Sequence, residues 1–200
     1  MPRLVTFGCS YTFGVGLPDV HPHKYGAPSI PSAMAWPSLL AKMLDREVQN
    51  LAVGGSGNAE ILDKILRYEF LPDDKVVIMW SHFVRHDHFR VKHLNFDGSR
   101  EWKDLARFQT DPNLIYENAY NNYMSFHHCE LFLKNKNIES YSIAGFKSDW
   151  DMFPIPKFLN LENLLNIDEN YFLDRALDKK HFGIKSHAKL AEIIYNKIEK

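Results

Sequence analysis

Three observations predict an α/β fold built on a parallel sheet. Strand-like and helix-like stretches alternate along the 200 residues. One strand, Asp74-Lys75-Val76-Val77-Ile78-Met79-Trp80, is a near-continuous apolar run of the kind buried on both faces of such a sheet. Two further strands end in glycine-bearing turns, and the second turn leads straight into a helical pattern.

The elements follow in order. Arg3 to Phe7 is a short β-branched and aromatic run that ends in Gly8-Cys9-Ser10, where a buried strand surfaces and delivers one small nucleophilic side chain. Residues 17–33 carry Pro18, Pro22, Pro28 and Pro31, which predicts a long irregular loop. A helix from Trp36 to Leu44 has Pro37 in its first turn, where the missing N–H costs nothing, and Leu39, Leu40, Met43 and Leu44 on one face. A strand over Glu47–Ala52 runs into Gly54-Gly55-Ser56-Gly57-Asn58, and a helix over Ala59–Phe70 turns Ile61, Ile65 and Leu66 inward. After the apolar strand comes an irregular insertion at about 82–111, polar and aromatic without sustained period. A long helix is expected over Pro112–Asn135 with Leu114, Tyr120, Tyr123, Met124 and Leu131 among its apolar positions, then a fourth strand over Ile138–Ala144. A second irregular, aromatic insertion at about 145–177 precedes an amphipathic helix over Ser186–Lys200, with Leu190, Ile193, Ile194 and Ile198 on its buried side.

Length and a 45% hydrophobic content suit one domain with a sizeable core. With 24 Lys+Arg against 25 Asp+Glu there is no electrostatic footprint for nucleic acid and no polybasic patch for a membrane. Cys9 and Cys129 do not form a disulfide framework, and Met1 is followed within two residues by the first strand, so a soluble, cytoplasmic protein is expected. The histidines invite a metal, but His82 and His86 lack the intervening glutamate a zinc hydrolase needs, His21 and His23 read as solvated loop histidines for which no further ligands can be assigned, and His127 and His128 read as a satisfied or solvated helix pair; no metal and no cofactor are expected. The Gly54–Gly57 turn has neither a Gly-x-x-x-x-Gly-Lys-Ser/Thr phosphate loop nor the third glycine of a dinucleotide fingerprint.

The remaining features have the parts of an acyl-transfer site: a strand ending in Gly-x-Ser, a turn presenting backbone N–H groups, and Asp178-Lys179-Lys180-His181 ahead of the last helix. In this order they resemble the SGNH hydrolases, the GDSL-like esterases and lipases. Phe7-Gly8-Cys9-Ser10 matches the first block, with Cys9 where Asp usually stands; Asn50-Leu51-Ala52-Val53-Gly54-Gly55-Ser56-Gly57-Asn58 matches the second; Asp178-Lys179-Lys180-His181 matches the last.

The resemblance implies a flavodoxin-like three-layer α/β/α sandwich with a parallel sheet of about five strands. It implies Ser10 as nucleophile, His181 as base and Asp178 as orienting acid, with an oxyanion hole from the Ser10 and Gly55 N–H groups. The block-three Asn of the family is absent, and Ser81 or His82 falls in its place, so His82 is a candidate third donor. Asn58, Ser81 and Arg85 are candidate substrate-positioning residues. The implied activity is hydrolysis of a small acyl or O-acetyl ester of a small molecule or carbohydrate. An O-acyltransferase with the same triad and a non-catalytic carbohydrate-binding protein are the alternatives. An α/β-hydrolase does not fit, because it places its nucleophile well inside the chain and its acid and base far apart.

Overall fold

In the computed structural model, four strands pair in parallel and a short fifth strand completes the sheet. The structure describes residues 1–20, 30–83, 85–86, 107–108, 112–145, 155–157, 159, 162–165, 167 and 169–199. Strands β1 (Arg3–Phe7), β2 (Glu47–Asn50), β3 (Lys75–Trp80), β6 (Glu139–Ala144) and β7 (Leu164–Leu165) lie in the order β2-β1-β3-β6-β7. Two-residue strands β4 (Arg85–His86) and β5 (Arg107–Phe108) pair separately and antiparallel.

Every residue of β3 is buried, and its side chains alternate between two cores. Val76, Ile78 and Trp80 face one core with Val5 and Phe7, covered by helices α3 (Asn58–Arg67) and α4 (Pro112–Asn135). Val77 and Met79 face the other with Leu4, covered by helices α2 (Trp36–Met43) and α5 (Ile184–Ile198). Period-two alternation in a doubly covered strand thus produces the α/β/α layering. The single turn α1 (Ser10–Phe13) follows β1.

Of the apolar helix positions named from the sequence, Met43, Leu66, Tyr120 and Leu131 are exposed instead of joining a core. On α4 the inward face is Ala119, Tyr123, Phe126, Cys129 and Leu133, and it also takes in the buried polar Asn118 and Asn122. Hydrophobicity alone cannot locate a stripe that carries amides. The segment read as irregular over 145–177 contains β7, held to β6 by the Ser142 N–H donating to the Asn163 carbonyl at 2.8 Å. Most of the 82–111 insertion lies outside the described residues. Among the described residues, no helix is long and apolar enough to cross a membrane.

β1 has β2 on one side and β3 on the other, so the chain leaves the sheet in opposite directions around it. In open parallel sheets the crevice beyond the strand ends at such a switch point is where ligands bind. The end of β1 leads directly to Ser10.

Candidate active site

The turn after β1 is sterically dictated. Cys9 is extended (φ −102°, ψ −156°), and its carbonyl accepts the Thr12 and Phe13 N–H groups at 3.0 Å each, closing a single helical turn that starts at Ser10. A Cβ on Gly8 would lie 2.2 Å from Thr12 Oγ1, so no other residue fits there. Gly14, at φ 84°, ends the turn in the left-handed conformation. Cys9 and Ser10 are both buried, at 1% and 5% exposure.

The loop before α5 brings up the partners. Residues 175–182 form a narrow hairpin, with an antiparallel bridge between Arg175 and Phe182 and the Ala176 N–H donating to the His181 carbonyl at 3.0 Å. Lys179 takes φ 59° at its tip. Asp178 serves two purposes with its two oxygens. Oδ1 accepts the Lys180 and His181 N–H groups at 2.9 and 3.0 Å, which shapes the turn; Oδ2 accepts from His181 Nδ1 at 2.5 Å.

His181 Nε2 in turn lies 2.9 Å from Ser10 Oγ. An Nδ1–H held by a carboxylate leaves Nε2 as the acceptor for the serine hydroxyl. Desolvation alone would raise the Asp178 carboxyl, but the hydrogen bonds from the His181 ring and from the His181 and Lys180 backbone outweigh it and hold the carboxyl below its ordinary value. Asp178 is thereby kept ionised at neutral pH, as an orienting acid must be.

Three residues outside the motifs hold this loop in place. Gly16 packs directly on the acid: a Cβ there would lie 2.8 Å from Asp178 Cγ, and the Gly16 carbonyl accepts the Leu177 N–H at 3.1 Å. Tyr11 packs beside the imidazole, its ring centroid 4.9 Å from that of His181 and 4.4 Å from that of Phe182. Asp174 anchors the loop to α5 by accepting the Ser186 N–H at 2.9 Å and the Lys185 N–H at 3.1 Å. None of the three is marked by local spacing; Gly16 alone carries a signal, as a glycine in a turn.

The second turn runs alongside the first. Beyond the end of β2, the Leu51 N–H donates to the Thr6 carbonyl at 2.8 Å and the Val53 N–H to the Gly8 carbonyl at 3.2 Å. The Asn50 side chain clamps the two turns, donating to the Thr12 carbonyl at 2.9 Å and accepting the Ala52 N–H at 3.1 Å. Gly55 takes φ 89°, the conformation that glycine adopts without strain.

The other sequence-predicted residues separate. Ser81 is buried, and its backbone N–H donates to Asn58 Oδ1 at 2.7 Å. Asn58 is 1% exposed with its amide bonded to Ser81 and Asn122, so it sits behind the site rather than in the crevice. His82 follows at the end of β3, half-buried. Arg85 lies in β4, and its side chain is outside the described residues, as are His21 and His23. No group of three His, Cys, Asp or Glu that could hold a metal ion occurs among the described residues. A cavity of about 380 Å³ lined by residues including His127, Glu130, Tyr141 and Glu162 lies between α4 and the start of β6, away from Ser10. Burial, and then the nearby Glu162, raise Glu130 to about 7.

No protein-family model matches the chain. No curated protein matches it either. Solved structures do. A carbohydrate esterase whose active site is described as displaying divergent catalytic and non-catalytic binding functions superposes with a TM-score of 0.61 at 15% identity, over 98% of this chain and 64% of that one. This chain therefore spans less than two thirds of that esterase. A protein from Desulfitobacterium hafniense, described as lipolytic and of the G-D-S-L family, gives 0.55 at 11% identity over 98% and 99% of the two chains. A psychrotrophic esterase from Pseudoalteromonas sp., solved inhibited by monoethylphosphonate, gives 0.53 at 11% identity over 100% and 97%. The fold of this chain is the SGNH fold shared by G-D-S-L lipolytic proteins and carbohydrate esterases.

Proposed function

We propose that the chain is a serine esterase that cleaves a small acyl or O-acetyl ester through an acyl-enzyme. The observation that carries this reading is the continuous relay from Asp178 Oδ2 to His181 (2.5 Å) and from His181 Nε2 to Ser10 Oγ (2.9 Å), at the end of a strand beside the sheet's switch point. The esterases and lipolytic proteins that share the fold support it.

His181 Nε2 takes the Ser10 proton as Oγ attacks the ester carbonyl carbon. The charge that develops on the carbonyl oxygen is met by the Ser10 and Gly55 N–H groups, neither of which is used in a hydrogen bond to the described residues. Collapse breaks the bond to the alcohol, which leaves with the proton from His181. Water then loses a proton to His181 and attacks the acyl carbon; collapse breaks the bond to Ser10 Oγ, which regains its proton from His181 as the acid is released. Asp178 holds the imidazole in one tautomer and offsets its charge when protonated.

The Ser81 N–H is already bonded to Asn58; in this reading the third donor is the His82 side chain, with the Ser81 hydroxyl as the alternative. Removing one oxyanion donor costs about 100- to 1000-fold in kcat, so His82→Ala tests the assignment. A panel of p-nitrophenyl esters from acetyl to decanoyl, run on wild type and Ser10→Ala, tests the reading as a whole. Turnover confined to wild type and strongest with short acyl chains is expected; equal turnover by both proteins would refute it. Transfer to a sugar hydroxyl would use the same residues, and acylated product on adding carbohydrate acceptors would reveal it.

A further inference from the structure

The family's block-three Asn has no counterpart at the end of β3, yet that strand end is tied down by amides from elsewhere. Asn58, the first residue of α3, grips both polar groups of one residue: its Oδ1 accepts the Ser81 N–H at 2.7 Å and its Nδ2 donates to the Ser81 carbonyl at 3.1 Å. The side chain thus acts like a one-residue extension of the sheet. Nδ2 also donates to Asn122 Oδ1 at 2.7 Å. Asn122 Nδ2 donates to the Phe83 carbonyl at 3.0 Å and to the Asn118 carbonyl at 2.7 Å, and Asn118 Nδ2 donates to the same Phe83 carbonyl.

Asn58, Ser81, Phe83, Asn118 and Asn122 are all buried. Buried amides are costly unless their donors and acceptors are met, and when met they specify one geometry instead of merely filling space. What this network specifies is the position of residues 81–83 relative to the turn that carries Gly55, because Asn58 lies only three residues beyond Gly55. Of the groups named for the oxyanion, one is in the Gly55 turn and another, His82, lies between the two residues whose backbones the network holds.

We infer that Asn58 is a positioning residue for the oxyanion side of the site: it fixes the end of β3 against the Gly55 turn, doing from behind the strand part of what the missing block-three Asn does from within the site. This inference rests on the serine-esterase reading. Asn58 touches neither the substrate nor His181, so its loss acts on the geometry of charge stabilisation in the transition state and not on the base or on ground-state binding. Misplacement on the scale of 1 Å by a remote change costs about 100-fold in rate. A drop in kcat of about 10- to 100-fold is therefore expected, less than for the direct loss of a donor.

The test is to assay wild type, Asn58→Ala, Asn58→Asp and Asn122→Leu with p-nitrophenyl acetate across pH, normalising rates to sites titrated with a fluorophosphonate. Asn58→Asp keeps an acceptor for the Ser81 N–H but turns a second oxygen toward the Ser81 carbonyl and Asn122 Oδ1, so it is expected to fail as a rescue. Asn122→Leu leaves the Asn58–Ser81 pair in place and is expected to lose less than Asn58→Ala. The predicted result is a lower kcat per titrated site, KM within about twofold of wild type and an unshifted pH limb. Unchanged kcat in Asn58→Ala, or a loss seen in KM alone, would overturn the inference while leaving Ser10 as nucleophile. If Asn58→Ala does not fold, hydrogen exchange of the Ser81 amide in the wild-type protein decides: strong protection is expected, and exchange at the rate of an open loop would overturn it. A wild-type protein that neither turns over nor takes the label would instead refute the esterase reading itself.

Discussion

At the N-terminal ends of the strands Arg3 grips Asp74 through two bonds of 2.7 and 2.6 Å, while Lys75 reaches Glu199 and Glu139 at 2.9 and 3.0 Å. At the C-terminal ends Asp178 grips His181 with similar closeness. Both ends therefore place charged side chains in partly desolvated surroundings, yet they differ in where each chain of bonds stops. Arg3 and Asp74 satisfy one another, with the Leu71 N–H completing the carboxylate at 2.8 Å, and Lys75 is held between two exposed glutamates. The Asp178 chain continues through an imidazole to a serine hydroxyl at the crevice. Polar groups that close on themselves tie the fold together, whereas the chain from Asp178 ends on a serine hydroxyl, the arrangement that the proposed acyl transfer needs.

This difference predicts opposite outcomes for acid-to-neutral changes at the two ends. Asp178→Asn should have the largest effect, lowering kcat by roughly 10⁴-fold through loss of the correct imidazole tautomer, with little change in melting temperature. Asp74→Ala should do the reverse. Removing the carboxylate from this partly buried pair should lower stability, read as a lower midpoint of denaturant unfolding, while kcat per folded molecule stays at the wild-type value. Equal losses of activity in the two variants would remove the distinction.

A third group separates the ends through pH. His187 is fully buried beneath the Asp178 loop, its Nδ1 accepting the Trp36 N–H at 3.2 Å, and burial lowers it from 6.5 to about 4. Between those values the unfolded chain binds a proton that the folded protein does not, so stability is fully present above pH 6.5 and declines as pH falls toward 4. The slope from this residue approaches about 1.4 kcal/mol per pH unit. His187→Gln, which keeps an acceptor for Trp36 but does not titrate, should flatten the wild-type profile by that amount; parallel profiles would contradict the assignment. The smallest effect is expected at Lys75→Met, since replacing a paired, buried ammonium by an apolar side chain of similar length is often neutral. Its unfolding midpoint should stay near that of wild type.

Two local pieces of the candidate site were legible in the sequence. Gly8 and Ser10 sit on one tight turn, and Asp178 reaches His181 across three residues, whereas Ser10 meets His181 across 171 positions, a pairing that only the order of the blocks shared with the resembled family suggested. The support was not legible, because it joins residues far apart in the chain. Asn58 meets Asn122 across 64 positions, and Trp36 meets His187 across 151, and no periodicity encodes either contact. The parallel strands with long apolar runs were likewise readable, but β7 was not, since Leu164–Leu165 is too short to show alternation. On α4 the inward Asn118 and Asn122 displaced the expected apolar stripe for the same reason that they hold the end of β3: a buried amide with satisfied bonds is indistinguishable in sequence from a surface one.

The central claim, that the polar chain at the C-terminal end of the sheet terminates in a working nucleophile, is tested most directly by covalent labelling. Wild-type protein incubated with a fluorophosphonate should gain one phosphonyl group, located by peptide mass spectrometry on Ser10, and Ser10→Ala should gain none at any site. Absence of label on folded wild-type protein, or label on another residue that persists in Ser10→Ala, would contradict it.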